Sequence, residues 1–179
     1  MTIKIYSCAG SRGMRPIWTA EEMGLDYEVE MMPFPPRFLH KDFMDINILG
    51  TVPYLIDGEV RMTESVAMSQ YMVDRYGPSD LKVATNEDDY GDYLNWLSHS
   101  DATLTFPQTV FLRYTLQEIG VADKAAEGYR RWFIARLKLL EWNTQKQSNY
   151  NSTHSKFEIR VHAELNLVPQ IFYLLQYPL

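Results

Sequence analysis

The sequence predicts an α/β domain with the element order β-α-β-α-β-β-α, followed by an all-α domain. Short alternating apolar runs, separated by glycine- and proline-containing turns, indicate strands in the first part of the chain. From about residue 85 onward only helical patterns occur. Because Gly77-Pro78-Ser79 breaks the chain between these parts, we expect a first domain over residues 1–78, a helical domain over 85–142 and a separate tail over 143–179.

The first domain begins with a β-α-β unit. Residues 2–6 alternate as a half-buried strand does, and residues 26–31 alternate again. The segment 13–23 between them is predicted to be a helix, because Pro16 is tolerated in a first turn and Gly24 suits a C-terminal cap. A right-handed crossover between the two strands is expected.

The rest of the first domain is predicted to be a hairpin between helices. A proline-rich loop leads to a short helix around residues 38–45. Two short strands over 54–62 are joined by a tight turn at Asp57-Gly58, and a helix over 64–76 follows.

Two long helices are predicted beyond the break. The first begins at Glu87-Asp88-Asp89 behind a Thr85 or Asn86 cap, and Pro107 should kink or interrupt it. The second covers about 123–142 and carries one apolar stripe: Tyr129, Phe133, Leu137 and Leu140. Residues 143–158 are polar and aperiodic, which favours a loop or disorder.

The composition argues against several functional classes. A net charge of −6 and a pI of about 5.2 disfavour a nucleic-acid binder. The sequence has neither a membrane-span pattern nor a secretory leader pattern, so we expect a cytoplasmic protein without a membrane partner. The single cysteine, Cys8, excludes an intramolecular disulfide and a cysteine-based zinc site, and the four histidines lack ligand spacing, so we expect no metal.

Val52 and Pro53 predict an open strand edge. A proline before a strand cannot donate to the ladder, so the preceding residue keeps free backbone groups. A cis Val52–Pro53 bond would turn the chain and direct the Val52 N–H and C=O outward. A short extended peptide could pair with them as an added strand.

The helix that starts at Glu64-Ser65 predicts a site for an amino-acid-like group. Its N-terminal N–H groups and partial positive charge suit a carboxylate. Ser65 can add a hydroxyl, and Glu64 can take an ammonium group. Together with the edge at Val52, these residues predict a ligand that is a small peptide with a free amino-acid end.

The first 142 residues resemble the glutathione S-transferase superfamily, especially its bacterial cytosolic members. The features that carry the resemblance, besides the run Asp101–Pro107, are the loop Ala9-Gly10-Ser11-Arg12 with Met14-Arg15 and Glu21–Gly24 behind it, Val52-Pro53, Glu64-Ser65, and the change to long helices near residue 85. The resemblance implies a thioredoxin-like first domain that binds glutathione as a co-substrate. It also implies a helical second domain that contributes to an electrophile site, and a homodimeric transferase active in detoxification.

In that family a hydroxyl in the first loop stabilises the glutathione thiolate. Ser11 matches the serine of the family's Pro-Gly-Ser form, here altered to Ala-Gly-Ser, so the resemblance implies that Ser11 is the catalytic donor. A serine here could instead only cap the helix, and Tyr6 is the alternative donor. Cys8 and Ser11 also form a C-x-x-S array, as in thiol-disulfide reductases, although a lone strand-end cysteine is more often a buried apolar residue.

The chain departs from the family in two places. Thr51 stands where many relatives carry a basic residue for the glycyl carboxylate, and Lys41 or His40 are the nearest replacements. The family's Ser/Thr-x-x-Asp box is absent after Trp142, which implies an incomplete helical domain. A non-catalytic glutathione-fold binding or interaction protein, or a defective copy, is therefore the alternative function.

The electrophile pocket is weakly specified by the sequence. Four residues recur at helical spacing on the first long helix, and most such stripes are core: Trp96, His99, Thr103 and Phe106. We expect at most one or two of them to line a pocket.

Overall fold

The computed structural model describes residues 2–115 and 122–147. Along the chain these residues divide into two compact units, with the boundary between Lys82 and Val83. The first unit contains β1 (Ile3–Ser7), α1 (Met14–Glu22), β2 (Tyr27–Met31), α2 (Pro36–Leu39), α3 (Phe43–Ile46), β3 (Tyr54–Asp57), β4 (Val60–Met62) and α4 (Ser65–Tyr76). The second contains α5 (Tyr90–Ser98), a π-helical segment (His99–Thr105), α6 (Phe106–Thr115) and α7 (Asp123–Gln147).

The first unit is built on a four-stranded sheet with the strand order β2-β1-β3-β4. β1 runs parallel to β2 and antiparallel to β3, and β3 and β4 form the predicted hairpin. This mixed sheet with its helices is a thioredoxin-like fold, as the sequence analysis expected.

Alternation along β1 gives each face of the sheet its own core, since successive side chains of a strand point to opposite faces. On one face, Ile3 and Ile5 of β1 pack with α1 and α4 in a buried cluster that also contains Ala20, Leu55, Met68 and Met72. On the other face, Tyr6 and Cys8 lie in a second cluster with Met32, Phe43 and Tyr54. Cys8, at the start of the loop that follows β1, is therefore held in the second cluster.

The single short helix expected over 38–45 is wrong, because the chain forms two separate turns of helix there. α2 begins at Pro36, where a proline needs no N–H partner, and ends at Leu39, because the capping residue His40 has a φ of −142° that is not helical. The hairpin turn is centred on Gly58-Glu59, and Gly58 has a φ of 57°, a conformation that favours glycine.

The second unit differs from expectation at three points. α5 begins at Tyr90 rather than at Glu87, because the Glu87 carboxylate accepts a hydrogen bond from the Ala84 N–H at 2.6 Å and closes a turn ahead of the helix. Pro107 lies in the first turn of α6, and the irregular geometry falls just before it, in the π-helical segment.

α7 continues to Gln147, so the expected loop is wrong for residues 143–147; residues 148–179 lie outside the described residues. Within the predicted stripe of α7, Phe133 is buried, whereas Tyr129 and Leu137 are half-buried. The side chain of Leu140 lies outside the described residues. Among the described residues, no helix combines the length and the apolar character needed to cross a membrane.

Candidate functional site

Three segments of the first unit converge at one edge of its sheet. β1 and β3 are antiparallel, and Tyr6 lies opposite Tyr54, so the loop after β1 lies beside the Val52-Pro53 segment that leads into β3. The beginnings of α1 and α4 are joined by a hydrogen bond from Arg15 Nη1 to Ser65 Oγ at 2.9 Å. The sequence-predicted residues Ser11, Val52, Pro53, Glu64 and Ser65 therefore lie on segments that meet around this edge.

The Ser11 hydroxyl lies in the loop just before α1, and its surroundings determine what it can donate. Its Oγ accepts hydrogen bonds from the backbone N–H groups of Cys8, at 3.3 Å, and Gly13, at 3.1 Å. Because both lone pairs are then used, only the Ser11 proton remains to be given. Its neighbour within reach is Ser7 Oγ, at 3.3 Å, and an incoming anion could take the place of this weak contact.

Cys8 is placed for packing rather than for exchange chemistry. Its side chain is 2 % exposed, and its Sγ approaches the Pro33 carbonyl at 3.7 Å. Burial raises the pKa of the Cys8 thiol to about 11, so the thiolate needed for disulfide exchange is scarce near pH 7. Tyr6, the alternative donor, is a buried strand residue whose ring lies 5.2 Å from that of Phe43.

The Val52–Pro53 peptide bond is cis, and Pro53 is buried. Among residues 2–115 and 122–147, no hydrogen bond reaches the N–H or C=O of Val52, so its backbone edge is open. The preceding loop is held by Asn47, which sequence reasoning missed. The buried Asn47 amide donates to the Thr51 carbonyl at 2.9 Å and accepts from the Leu49 N–H at 3.2 Å.

At the start of α4, Glu64 is the N-cap residue, yet its exposed carboxylate makes no capping hydrogen bond. Ser65 is the first helical residue and is buried, and its hydroxyl accepts the hydrogen bond from Arg15. Arg15 itself is 2 % exposed. This contact could not be predicted from the sequence, because the two residues that form it lie 50 positions apart.

The residues considered for the glycyl end, His40, Lys41 and Thr51, are all exposed and lie in loops between α2 and β3. No hydrogen bond or ion pair within the described ranges uses the two basic side chains. Both side chains are therefore available to an anionic group.

The four residues that the sequence suggested for the electrophile pocket differ in their exposure to solvent. Trp96 is buried on α5, and the His99 ring meets it edge-on at 5.2 Å at the start of the π-helical segment. Burial, together with the nearby Arg136, lowers the pKa of His99. Phe106 is 56 % exposed and lies edge-on to Tyr129 at 5.9 Å, and Thr103 is half-buried.

Among the described residues, no three His, Cys, Asp or Glu side chains lie close enough together to hold a metal ion. The chemistry of the edge is thus that of hydroxyls, backbone amides, one buried guanidinium and one exposed carboxylate.

Comparison with known proteins agrees with this geometry. Residues 1–74 match the family model of the glutathione S-transferase N-terminal domain. Glutathione S-transferase Z1 of Arabidopsis thaliana is 30 % identical over 159 residues, 83 % of this chain and 66 % of that protein. Glutathione S-transferase 3 of Schizosaccharomyces pombe is 26 % identical over 102 residues, 57 % of this chain and 42 % of that protein.

Among solved structures, a glutathione transferase of Phanerochaete chrysosporium in complex with oxidized glutathione superposes with a TM-score of 0.73 at 23 % identity, covering 99 % of this chain and 92 % of that one. The matches to the two curated relatives span 42 % and 66 % of their lengths. The first 74 residues therefore belong to the family of glutathione S-transferase N-terminal domains, and most of the chain is similar to a glutathione S-transferase.

Proposed function

We propose that this protein binds glutathione and transfers its thiolate to a small electrophile. The observation that carries the proposal is the convergence, at one sheet edge, of a hydroxyl with only its proton to give, an open strand backbone and a helix N-terminus. γ-Glutamyl-cysteinyl-glycine needs these three partners. The glutathione transferases named above support the same ligand, since residues 1–74 share their N-terminal domain.

In the proposed binding mode, the cysteinyl unit pairs with the Val52 backbone as an added strand. The α-carboxylate of the γ-glutamyl group lies at Ser65 and the first N–H groups of α4, and its ammonium group pairs with the exposed Glu64 carboxylate. This places the thiol near the loop after β1, where the Ser11 proton is available.

Catalysis then consists of stabilising the thiolate. A free thiol has a pKa near 8.5, so it is mostly protonated at pH 7. Donation of the Ser11 proton to the sulfur and the N-terminal charge of α1 both favour the anion, which lowers the thiol pKa. The thiolate forms a bond to the electrophilic carbon, for example of an aryl halide, and the halide leaves with the bonding electrons.

A second candidate is a glutathione-binding protein without turnover. The contacts of Ser11 with its own loop favour it, because they give this hydroxyl a structural use. The thiol-disulfide reductase, in contrast, is disfavoured by the burial and raised pKa of Cys8. We also propose that the protein is a cytoplasmic homodimer, as the family implies.

Ser11→Ala tests the catalytic assignment. We expect glutathione affinity to stay the same, the pKa of the bound thiol to rise and kcat with a generic aryl halide to fall about 100-fold, the usual effect of losing one donor to a developing anion. The thiolate is followed by its ultraviolet absorbance against pH. Ser98→Ala, which removes an exposed hydroxyl of α5, is the control.

Three outcomes distinguish the candidates. If the wild type turns over the aryl halide and Ser11→Ala does so more slowly, the transferase is supported. Retention on immobilised glutathione without turnover supports the binding protein. Failure of the wild type to bind glutathione at millimolar concentration contradicts both.

A further inference from the structure

We infer that Ser7 holds the Ser11 proton in the free protein and competes with a bound thiolate for it, an inference that rests on the glutathione binding and the Ser11 role proposed above. Ser7 is the last residue of β1 and is only 1 % exposed. Its backbone carbonyl accepts a hydrogen bond from the Met32 N–H at 2.7 Å, which fixes its position at the end of the strand. Its hydroxyl oxygen lies 3.3 Å from Ser11 Oγ.

The other hydrogen bonds of the two serines give this contact a direction. Ser11 Oγ already accepts from the N–H groups of Cys8 and Gly13, so it donates to Ser7 rather than accepting from it. The Ser7 hydroxyl then donates to the Cys8 carbonyl, 3.4 Å away. Within residues 2–115 and 122–147, the two hydroxyls make no further hydrogen bond. The donors therefore run in one line from Ser11 through Ser7 to a backbone carbonyl.

The structure holds each serine in place without the contact between them. Ser7 is held by the sheet, and Ser11 by two backbone N–H groups. Gly13 leaves the space for the pair, since a methyl group on its Cα would overlap Ser7 Oγ and stand 3.1 Å from Ser11 Oγ. Without the Ser7 hydroxyl, the Cys8 carbonyl would still accept from the Ser11 N–H at 3.2 Å. Removal of this hydroxyl should therefore leave Ser11 where it is.

A bound thiolate would draw the Ser11 proton away from Ser7. A charged acceptor forms a stronger hydrogen bond than the neutral Ser7 oxygen does. The thiol releases its own proton to solvent, while the Ser11 hydroxyl turns about its Cβ–Oγ bond from Ser7 to the sulfur and stays protonated. The contact given up is weak, because 3.3 Å exceeds the roughly 2.7–2.8 Å typical of O–H···O hydrogen bonds. Ser7 thus reduces the stabilisation of the thiolate without preventing it.

The ionisable groups of this loop and of α1 keep their charge over the pH range in which the bound thiol titrates. Burial raises the pKa of the Cys8 thiol to about 11, so this thiol stays protonated. Arg12, next to Ser11, and Arg15, on α1, are cationic at all accessible pH values. A change in the titration of the ligand thiol therefore reports on its hydrogen-bond donor.

The test removes the Ser7 oxygen and follows the pKa of bound glutathione. Wild type, Ser7→Ala, Ser11→Ala and the double variant are titrated by thiolate absorbance in the ultraviolet, and the absorbance of the ligand-free protein is subtracted. We expect Ser7→Ala to lower the thiol pKa by about 0.3–0.5, a roughly two- to threefold change in the acid dissociation constant, as befits the loss of one weak competing hydrogen bond. Adding Ser7→Ala to Ser11→Ala should change nothing, because the contested proton is then absent.

Two controls separate competition from loosened packing. Ser69→Ala removes another buried hydroxyl of the same unit, one that lies 2.9 Å from the Thr19 hydroxyl, and it should leave the thiol pKa unchanged. S-Methylglutathione has no thiol to ionise. Its dissociation constant, measured by titration calorimetry, should be the same in wild type and Ser7→Ala.

The inference is overturned if Ser7→Ala leaves the thiol pKa unchanged or raises it, or if the same fall occurs in the Ser11→Ala background or in Ser69→Ala. Should Ser7→Ala fail to fold, Ser7→Cys, which fills the space with a weaker acceptor, decides by the same titration. Failure of the wild type to bind glutathione is a different result, since it contradicts the proposed function and the inference together. A thiol pKa that Ser11→Ala does not raise contradicts the role of Ser11, and with it that of Ser7.

Discussion

Gly13 lets two serine side chains approach the start of α1. A methyl group built on its Cα would lie 2.8 Å from Ser7 Cβ and closer still to Ser7 Oγ, and it would stand 3.1 Å from Ser11 Oγ. Its φ of −61° is open to any residue, so space rather than backbone conformation requires glycine here. The serine proposed as catalytic therefore depends on a missing side chain two positions further on.

We predict that Gly13→Ala lowers stability by about 1–3 kcal/mol, as overpacking of a tight site does, and lowers turnover more than glutathione affinity. Gly91→Ala is the control, because Gly91 is exposed on α5 with open space around its Cα. It should raise stability by about 0.5–1 kcal/mol through its better helix propensity. Urea unfolding and steady-state kinetics measure both, and equal effects of the two substitutions would contradict the role given to Gly13.

At the scale of elements, the β3–β4 hairpin is fastened to α4 by one carboxylate. Asp57, which is 8 % exposed, accepts hydrogen bonds from the Tyr71 hydroxyl at 2.8 Å and the Tyr76 hydroxyl at 2.5 Å. Burial acts to raise the pKa of Asp57, but these two hydrogen bonds and the nearby Arg75 outweigh it, so the pKa lies below its usual value of 3.8. The hydrogen bond to Asp57, with burial, raises the pKa of Tyr76 to about 12.

These shifts predict how stability varies with pH. A lowered carboxyl pKa stabilises the fold above about pH 4, and this contribution is lost as the pH falls further. A raised phenol pKa stabilises below about pH 10, and that contribution is lost as the pH rises toward 12. Asp57→Asn should weaken both dependences, because it removes the charge that holds the two hydroxyls.

Urea unfolding at a series of pH values measures this effect, together with Tyr76→Phe, which we expect to cost about 1–2 kcal/mol near pH 7. Tyr90→Phe, which removes a hydroxyl on α5 with no contact to Asp57, is the control. If the loss of stability at acid pH is the same in Asp57→Asn as in the wild type, the role assigned to Asp57 is contradicted.

At the scale of the whole molecule, the proposed homodimer finds support in the surface of the first unit. The segment 34–49, which includes α2 and α3, exposes seven large apolar side chains: Phe34, Phe38, Leu39, Met44, Ile46, Ile48 and Leu49. Ile48 is the most exposed of the seven, at 82 %. Exposed apolar surface concentrated in one segment is typical of an interaction site, and a second copy of the chain is the partner that we propose for it.

We predict that Ile48→Asp shifts the protein from dimer to monomer in light scattering coupled to size exclusion, because it puts a charge into the apolar interface. Leu94→Asp is the control, since Leu94 is a partly exposed apolar residue of α5 in the other unit. A wild-type monomer, or a dimer that Ile48→Asp leaves intact, would contradict the assignment of this surface.

The parts of the fold that could be predicted from the sequence are those whose interactions join residues close together along the chain. Strand alternation, turn residues and capping act over a few positions, so β1, α1, the hairpin and α4 were predicted within one or two residues. Val52-Pro53 and Glu64-Ser65 could be proposed as site residues for the same reason, because each pair is adjacent in the sequence. The separation of α2 from α3 and the π-helical segment before Pro107 were missed, because packing within each unit overrides local propensity there.

The sequence by itself determined the four strands with helices α1 and α4, the open strand edge at Val52 and the helix start at Ser65, since each depends on neighbouring residues. Only the tertiary structure decided that the Cys8 thiol is buried with a raised pKa and that Arg15 reaches Ser65. The physical reason is that burial and side-chain partners are properties of the packed chain. A contact between residues 50 positions apart leaves no pattern in the local sequence from which it could be predicted.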